Sequence, residues 1–342
     1  MQGVTIRVGG VHALEEVPDP VPGAEDLLVD GIALGVCGTD RSIVARGPHR
    51  TPEGRDGLIL GHESLGRVRQ APPGSAFTEG DLVAGLVRRP DPEPCENCAA
   101  GDLDICLNGR YTERGIVGSD GYGAQRYLLD PAYAIRVNPR LGLTGVLVEP
   151  TSIVAKAWER VDATVRRPGG RALILGAGPI GLLAALLAHQ RGYDVHVVDQ
   201  VGSGPKIEQT KALGATYHRG TGDLQGDFDA VVECSGELGA VAIEATARGG
   251  SLCFIAGGHR AGAATVGLNV IGGALTGGNR AFTGVVSSGR EHFLAAHDAL
   301  ERADRGWLEG LLTSVVPMER YAEALAGGSD TIKAVIQLGE LP

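Results

Sequence analysis

The chain has 342 residues, enough for two domains that each bury a core. Asp and Glu outnumber Lys and Arg by 41 to 31, a net charge of −10, so no basic face is offered to nucleic acid or anionic lipid. Residues 1–8 lack the basic start and apolar core of a secretory signal, and the longest apolar run, 180–188, is far short of the ~20 residues of a membrane span. Without an export signal, the six cysteines read as thiols or metal ligands in a reducing cytoplasm rather than a disulfide frame.

In chain order, residues 1–152 contain short β-like runs broken by Gly and Pro, at 26–34, 66–70 and 81–86. That texture predicts a mostly antiparallel, loop-rich domain. Three clusters in it carry chemistry: Cys37-Gly38-Thr39-Asp40, Gly61-His62-Glu63 and Val148-Glu149-Pro150. Cys, His and Glu are each zinc ligands, and a catalytic zinc takes three of them with one position left open. Singly they are bland, because a lone Cys is more often a buried apolar residue. Sequence distance does not say whether they share a site.

Residues 153–286 alternate strand-like and helical stretches, with strands at 171–175, 195–199, 230–234, 251–256 and 281–285. This is the pattern of a parallel, doubly wound α/β sheet. After the first strand comes Gly176-Ala177-Gly178-Pro179-Ile180-Gly181, then an apolar helix and a second strand ending on Asp199. The first Gly permits the tight turn, the second lets backbone approach a pyrophosphate, and the third allows close helix–strand packing. The phosphates then lie over the positive end of the helix. A glycine triplet alone is weak evidence among 54 glycines, but the ordered set of strand, loop, helix, strand and acid is strong. Asp199 can accept both ribose hydroxyls and repels a 2′-phosphate, and no Arg or Lys follows it before Lys206, which selects NAD over NADP. Ser235 and Gly257, at the ends of later strands, are expected beside the dinucleotide. Residues 287–342 read as helices at 291–303 and 318–326 and a strand at 333–338, folding back onto the first domain.

The Cys37, His62 and Gly176 clusters together resemble the zinc-dependent medium-chain dehydrogenase/reductase superfamily. The run from Tyr111 through Glu113 to Gly118, followed by Gly121-Tyr122, is similar to its archaeal glucose dehydrogenase branch. So are Val87-Arg88-Arg89-Pro90, Glu291-His292-Phe293 and Thr331-Ile332-Lys333. The resemblance implies a GroES-like catalytic domain, a Rossmann cofactor domain and a homodimer or homotetramer. It implies zinc on Cys37, His62 and Glu149, with Glu63 a carboxylate that joins or leaves the metal. Thr39 would bond the reacting hydroxyl and carry off its proton, and Glu113 would bind a sugar hydroxyl.

Three departures stand out. The superfamily's second zinc lobe has four cysteines; here Cys95, Cys98 and Cys106 fill three positions and Pro92 the other, leaving Asp91, Glu93 or Asp104 to complete the shell, or the lobe metal-free. Arg41 and Asp120 replace histidines at the substrate end, and Ser287 replaces a sugar-binding asparagine. A forked cation at Arg41 suits a carboxylate or phosphate, while Asp120 suits an amine or a pairing with Arg41. The expected activity is therefore NAD-dependent oxidation of a secondary alcohol, or reduction of the ketone, in a sugar, aminosugar, cyclitol or nucleoside. Glucose 1-dehydrogenase proper is one alternative, and redox-neutral elimination or epimerisation on the same scaffold is another.

Overall fold

The computed structural model describes residues 1–255 and 267–340, apart from the side chains of Leu268 and Val270. It divides into two compact units, residues 1–149 with 287–342, and residues 150–286. The first boundary falls at Glu149/Pro150, three residues before the expected one and inside the helix Val148–Asp162.

The first unit is built on the strand Leu27–Val36, ten residues whose second half is buried on both faces. Leu27–Val36 pairs antiparallel with Glu63–Gln70, Arg126–Leu129 and the C-terminal strand Ala334–Gln337. Where both faces of a strand are covered, successive side chains must all be apolar, which the run Ile32-Ala33-Leu34-Gly35-Val36 supplies. Its core includes Val4, Ile6, Leu34, Leu58, Leu60, Tyr122 and Ile336, all 1% exposed or less. Tyr122 and Tyr127 pack with ring planes tilted by 58° and centroids 4.9 Å apart, and the buried Tyr122 hydroxyl donates to Leu86 O at 2.6 Å. That satisfies the polar end of a ring otherwise placed for its apolar area.

The second unit is a six-stranded, all-parallel sheet in the order Thr216–Arg219, Asp194–Asp199, Arg171–Leu175, Phe228–Glu233, Thr246–Phe254, Ala281–Gly284. Numbered along the chain this is 3-2-1-4-5-6, the Rossmann order, whose reversal lies between Arg171–Leu175 and Phe228–Glu233. Thr216–Arg219 is too short and polar to be distinguished from a loop in the sequence; it forms because Asp194–Asp199 offers it an unpaired edge. The helix Pro179–Gln190 is buried from Gly181 through Ala188, which explains its lack of a polar face. Among the described residues no helix is long and apolar enough to cross a membrane. Gly257 lies outside the described residues.

Candidate active site and dinucleotide loop

Cys37 ends the Leu27–Val36 strand and caps the helix Gly38–Arg46. Its Sγ accepts from Thr39 N at 3.2 Å, while Asp40 reaches back to accept from Cys37 N at 2.8 Å. This reciprocal cap fixes both the sulfur and the Asp40 carboxylate. His62 enters from the turn at Gly61, where φ is +96°, and its Nε2 stands 3.1 Å from Cys37 Sγ. Its Nδ1 faces Asp40 Oδ1 at 3.4 Å, and these two buried atoms have no closer partner among the described residues. Nδ1–H is thus directed at the carboxylate, so that once the ring is neutral the Nε2 lone pair points at the sulfur.

Glu63 sits opposite Gly35 in the sheet register, where a Cβ would come within 2.1 Å of Glu63 Oε2. Only glycine leaves room for that carboxylate. Lys333, wholly buried, donates to Glu63 Oε1 and Oε2 at 2.6 and 2.5 Å and to Val36 O at 3.3 Å. Ligand atoms of Cys37, His62 and Glu63 all lie within 4.8 Å of one another. Glu149, expected with Cys37 and His62, is not in that tight group, though it is buried and feels both His62 and Glu63. Burial, then the Glu63 charge, raises its pKa to about 7 against the pull of His62 and Lys333. For His62, burial opposes the charged ring, but Cys37 and Asp40 outweigh it and raise the pKa well above normal. Three buried acids and a thiol around one imidazole attract a proton because they lack a stronger cation. The donor set, with an imidazole lone pair, a thiol and carboxylates, fits zinc.

The substrate-end residues fall differently from expectation. Arg41 donates its Nε to Leu325 O at 3.0 Å, so it closes the C-terminal end of the helix Tyr321–Ala326. The proposed Arg41–Asp120 pair is not formed: Asp120 binds Arg55 and accepts from Ile59 N at 2.8 Å. Glu113 is held by Arg88, whose Nε and Nη2 both reach Oε1, at 3.0 and 2.9 Å. Thr39 is exposed beside Cys37. Ser287 adopts φ +57°, a left-handed conformation that asparagine tolerates better than serine.

The sulfurs of Cys95, Cys98 and Cys106 also cluster within 4.8 Å. Cys95 Sγ accepts from Cys98 N and Leu107 N, and these bonds lower its pKa to about 6. Burial pushes Cys98 up to about 11. None of the expected fourth ligands, Asp91, Glu93 or Asp104, is grouped with the sulfurs, and Asp91 and Glu93 are both engaged by Arg110 at 2.9 Å. The trio has the spacing and the donated N–H groups of a thiolate metal site with one position unassigned. A third cluster, His297-Asp298-Glu301, is explained locally: Asn138 N donates to His297 Nε2, so Nδ1 bears the hydrogen and faces Glu301 at 3.4 Å.

In the second unit the three glycines of the loop perform distinct roles. Gly176 has φ +104°; a Cβ on Gly178 would meet nothing within 4 Å; one on Gly181 would strike Gly176 O at 1.7 Å. Pro179 opens the helix, whose Gly178 cap contributes no side chain, so the first N–H groups, Ile180 among them, face the space over Gly178. Asp199 Oδ2 accepts from Ala177 N at 2.8 Å and Oδ1 from Gln200 N at 2.7 Å. A Cβ on Gly176 would come within 3.4 Å of Ser235, whose hydroxyl is tied to Glu233. Lys206, noted in the sequence only as the first cation after Asp199, comes within 3.7 Å of its carboxylate. Lys333 had its own signal, a lysine opening the apolar run Ala334-Val335-Ile336, but only the fold reveals its partner.

Comparison with known proteins agrees along the whole chain. The family described as alcohol dehydrogenase GroES-like domain matches residues 23–139, and glucose dehydrogenase C-terminus matches 142–338. Glucose 1-dehydrogenase of Thermoproteus tenax is 36% identical, over 99% of both chains. That of Methanocella arvoryzae is also 36% identical, over 99% of this chain and 100% of its own. The crystal structure of Haloferax mediterranei glucose dehydrogenase in complex with NADP, Zn and gluconolactone is 30% identical and superposes with a TM-score of 0.91, covering 99% of this chain and 100% of that one.

Two outcomes follow for this site. Zinc uptake by metal-free protein should release protons and strengthen as pH rises through about 7, because His62 and Glu149 must lose protons to become ligands. Titration calorimetry in buffers of different ionisation enthalpy reads this directly; uptake without proton release contradicts it. Lys333→Met should destabilise the metal-free protein by about 3–5 kcal/mol, since Glu63 is left buried and unpaired. Denaturant unfolding with an unchanged midpoint would show that the pair contributes nothing.

Proposed function

We propose that this chain, which belongs to the glucose dehydrogenase branch of the zinc-dependent medium-chain dehydrogenases, oxidises an unmodified aldose at C1 to the lactone with NAD. The observation that carries the reading is the Cys37–His62 pair, with Nε2 3.1 Å from Sγ and Asp40 behind the ring. Cys37, His62 and a carboxylate from Glu149 or Glu63 would hold the zinc. When bound, that ion supplies Lewis acidity toward the reacting hydroxyl oxygen, and the dinucleotide accepts the hydride.

The residues of this chain do the rest. Thr39, exposed next to Cys37, takes the substrate hydroxyl proton through Oγ1 and passes it outward. Arg88 uses only Glu113 Oε1, so Oε2 is left to accept a sugar hydroxyl. An unmodified sugar is favoured because Arg41 and Asp120 are occupied by Leu325 and Arg55. The amino substrates lose their recognition group, since both Asp120 oxygens are engaged, and Arg41 is anchored through Nε to the end of a helix.

Asp199 supports NAD as the better cofactor, since an acid at the end of the second strand is suited to accept the ribose hydroxyls. Lys206, 3.7 Å away, supports weaker use of NADP by offsetting the repulsion of a 2′-phosphate. The strand Ala281–Gly284, at the edge of its sheet, supports assembly as a dimer or tetramer.

The test is turnover of glucose, galactose and xylose, alongside aminosugars, cyclitols and nucleosides, with each cofactor, followed by absorbance of the reduced nicotinamide. Aldoses should react with NAD preferred. Failure of every aldose, or reaction only with a charged substrate, sinks the sugar assignment. Asp199→Arg should lower kcat/KM for NAD at least about tenfold, the loss of a hydrogen bond to a charged group, and raise it for NADP. Lys206→Ala should lower NADP use alone.

A further inference from the structure

Arg88 lies between two groups of residues that the reaction treats separately. Its strand, Arg88–Arg89, pairs antiparallel with Thr112–Arg114, and Arg88 stands directly opposite Glu113. The guanidinium is 5% exposed, so every donor it carries needs a partner. Nε and Nη2 go to Glu113 Oε1, Nη1 goes to Asp104 O at 2.8 Å, and the plane covers the Tyr111 ring at 3.9 Å. One rigid fork thus spans from the sugar-facing carboxylate to a main-chain carbonyl two residues before Cys106.

Asp104 belongs to the single turn Leu103–Ile105, where apolar packing is limited to the half-buried Leu103. Ile105 is 48% exposed and Leu107 63%. The segment is held by the cysteine lobe: Asn97 Nδ2 donates to Ile105 O at 2.8 Å, Leu107 N donates to Cys95 Sγ at 3.4 Å, and Cys106 Sγ joins the other two sulfurs. The position of the Asp104 carbonyl therefore follows the state of the three sulfurs. If the sulfurs separate, Arg88 loses one acceptor of its buried fork, and the unsatisfied donor moves the guanidinium. Glu113 moves with it.

We infer that Arg88 is a positioning residue that couples the Cys95–Cys98–Cys106 lobe to sugar affinity, so that an intact lobe sets the Glu113 carboxylate and a disrupted lobe releases it. The inference rests on Glu113 being the sugar-binding carboxylate of the proposed function. It assigns the cysteine lobe a role in substrate affinity in addition to local stability.

The experiment compares full-length wild type, Arg88→Lys, Cys106→Ser and the double variant, with D-glucose as the probe. Calorimetric affinity, KM and kcat are measured together with zinc content and amide hydrogen exchange at residues 111–117. Each single variant should weaken glucose binding and raise KM about tenfold, with kcat changed less than about threefold. The double variant should be no worse than either single one, because both cut the same link. Exchange at 112–114 should quicken in Cys106→Ser on the wild-type background, and no further when Lys occupies position 88. Multiplicative effects in the double variant, or unchanged affinity and exchange in Cys106→Ser, overturn the coupling. Asn97→Ala, which frees Ile105 O without touching a sulfur, should give a smaller change in the same direction and replaces Cys106→Ser if that variant misfolds. If wild type binds no glucose, the sugar reading falls, and the exchange data alone still decide whether lobe and Glu113 are linked.

Discussion

A buried excess of negative charge organises the first unit. Asp40, Glu63 and Glu149 are packed around Cys37 and His62 with almost no access to water. Such an arrangement is costly unless cations are built in or bound. Lys333 provides one, at zero exposure and with both Glu63 oxygens in reach. Placing it there requires the C-terminal segment to return and pair Ala334–Gln337 with Leu27–Val36. The return of the chain and the charge balance of the site are one requirement. The high pKa of His62 and the raised pKa of Glu149 express the remaining imbalance, which a bound dication would relieve.

The second unit meets a simpler constraint, the close approach of backbone to phosphate. Gly181 is demanded by the carbonyl of Gly176, whereas Gly178 faces open space, so that no packing within the chain requires it. Asp199 connects this loop to the proposed cofactor choice, because the carboxylate that would favour a free ribose also fastens Ala177 N. Loop geometry and the proposed preference thus share a residue. A substitution there acts on both.

At the substrate end, identity and role separate. Arg41 and Asp120 replace histidines of the resembled branch, and by type they suggest charged substrates. Their side chains are instead occupied with a helix end and with Arg55. Arg88, a family-like residue in the sequence and nothing more, becomes the partner of Glu113 and Asp104. A long side chain can serve several sites within its reach, so its type constrains its role less than its neighbours do.

The local rules were readable in the chain itself: the glycine loop and its terminal acid, the alternation of strand and helix, the metal-binding residue types and the missing lobe cysteine at Pro92. Strands such as Arg171–Leu175 and Asp194–Asp199 were placed closely, because apolar period and bounding glycines are local signals. The short strand Thr216–Arg219, the Lys333–Glu63 pair across 270 residues, the Arg88 fork and the partners of Arg41 and Asp120 were not. Each depends on which side chains the sheet register brings face to face. Residue types and spacing determine which chemistry is available to this chain; contacts between distant segments decide which atoms remain free to perform it.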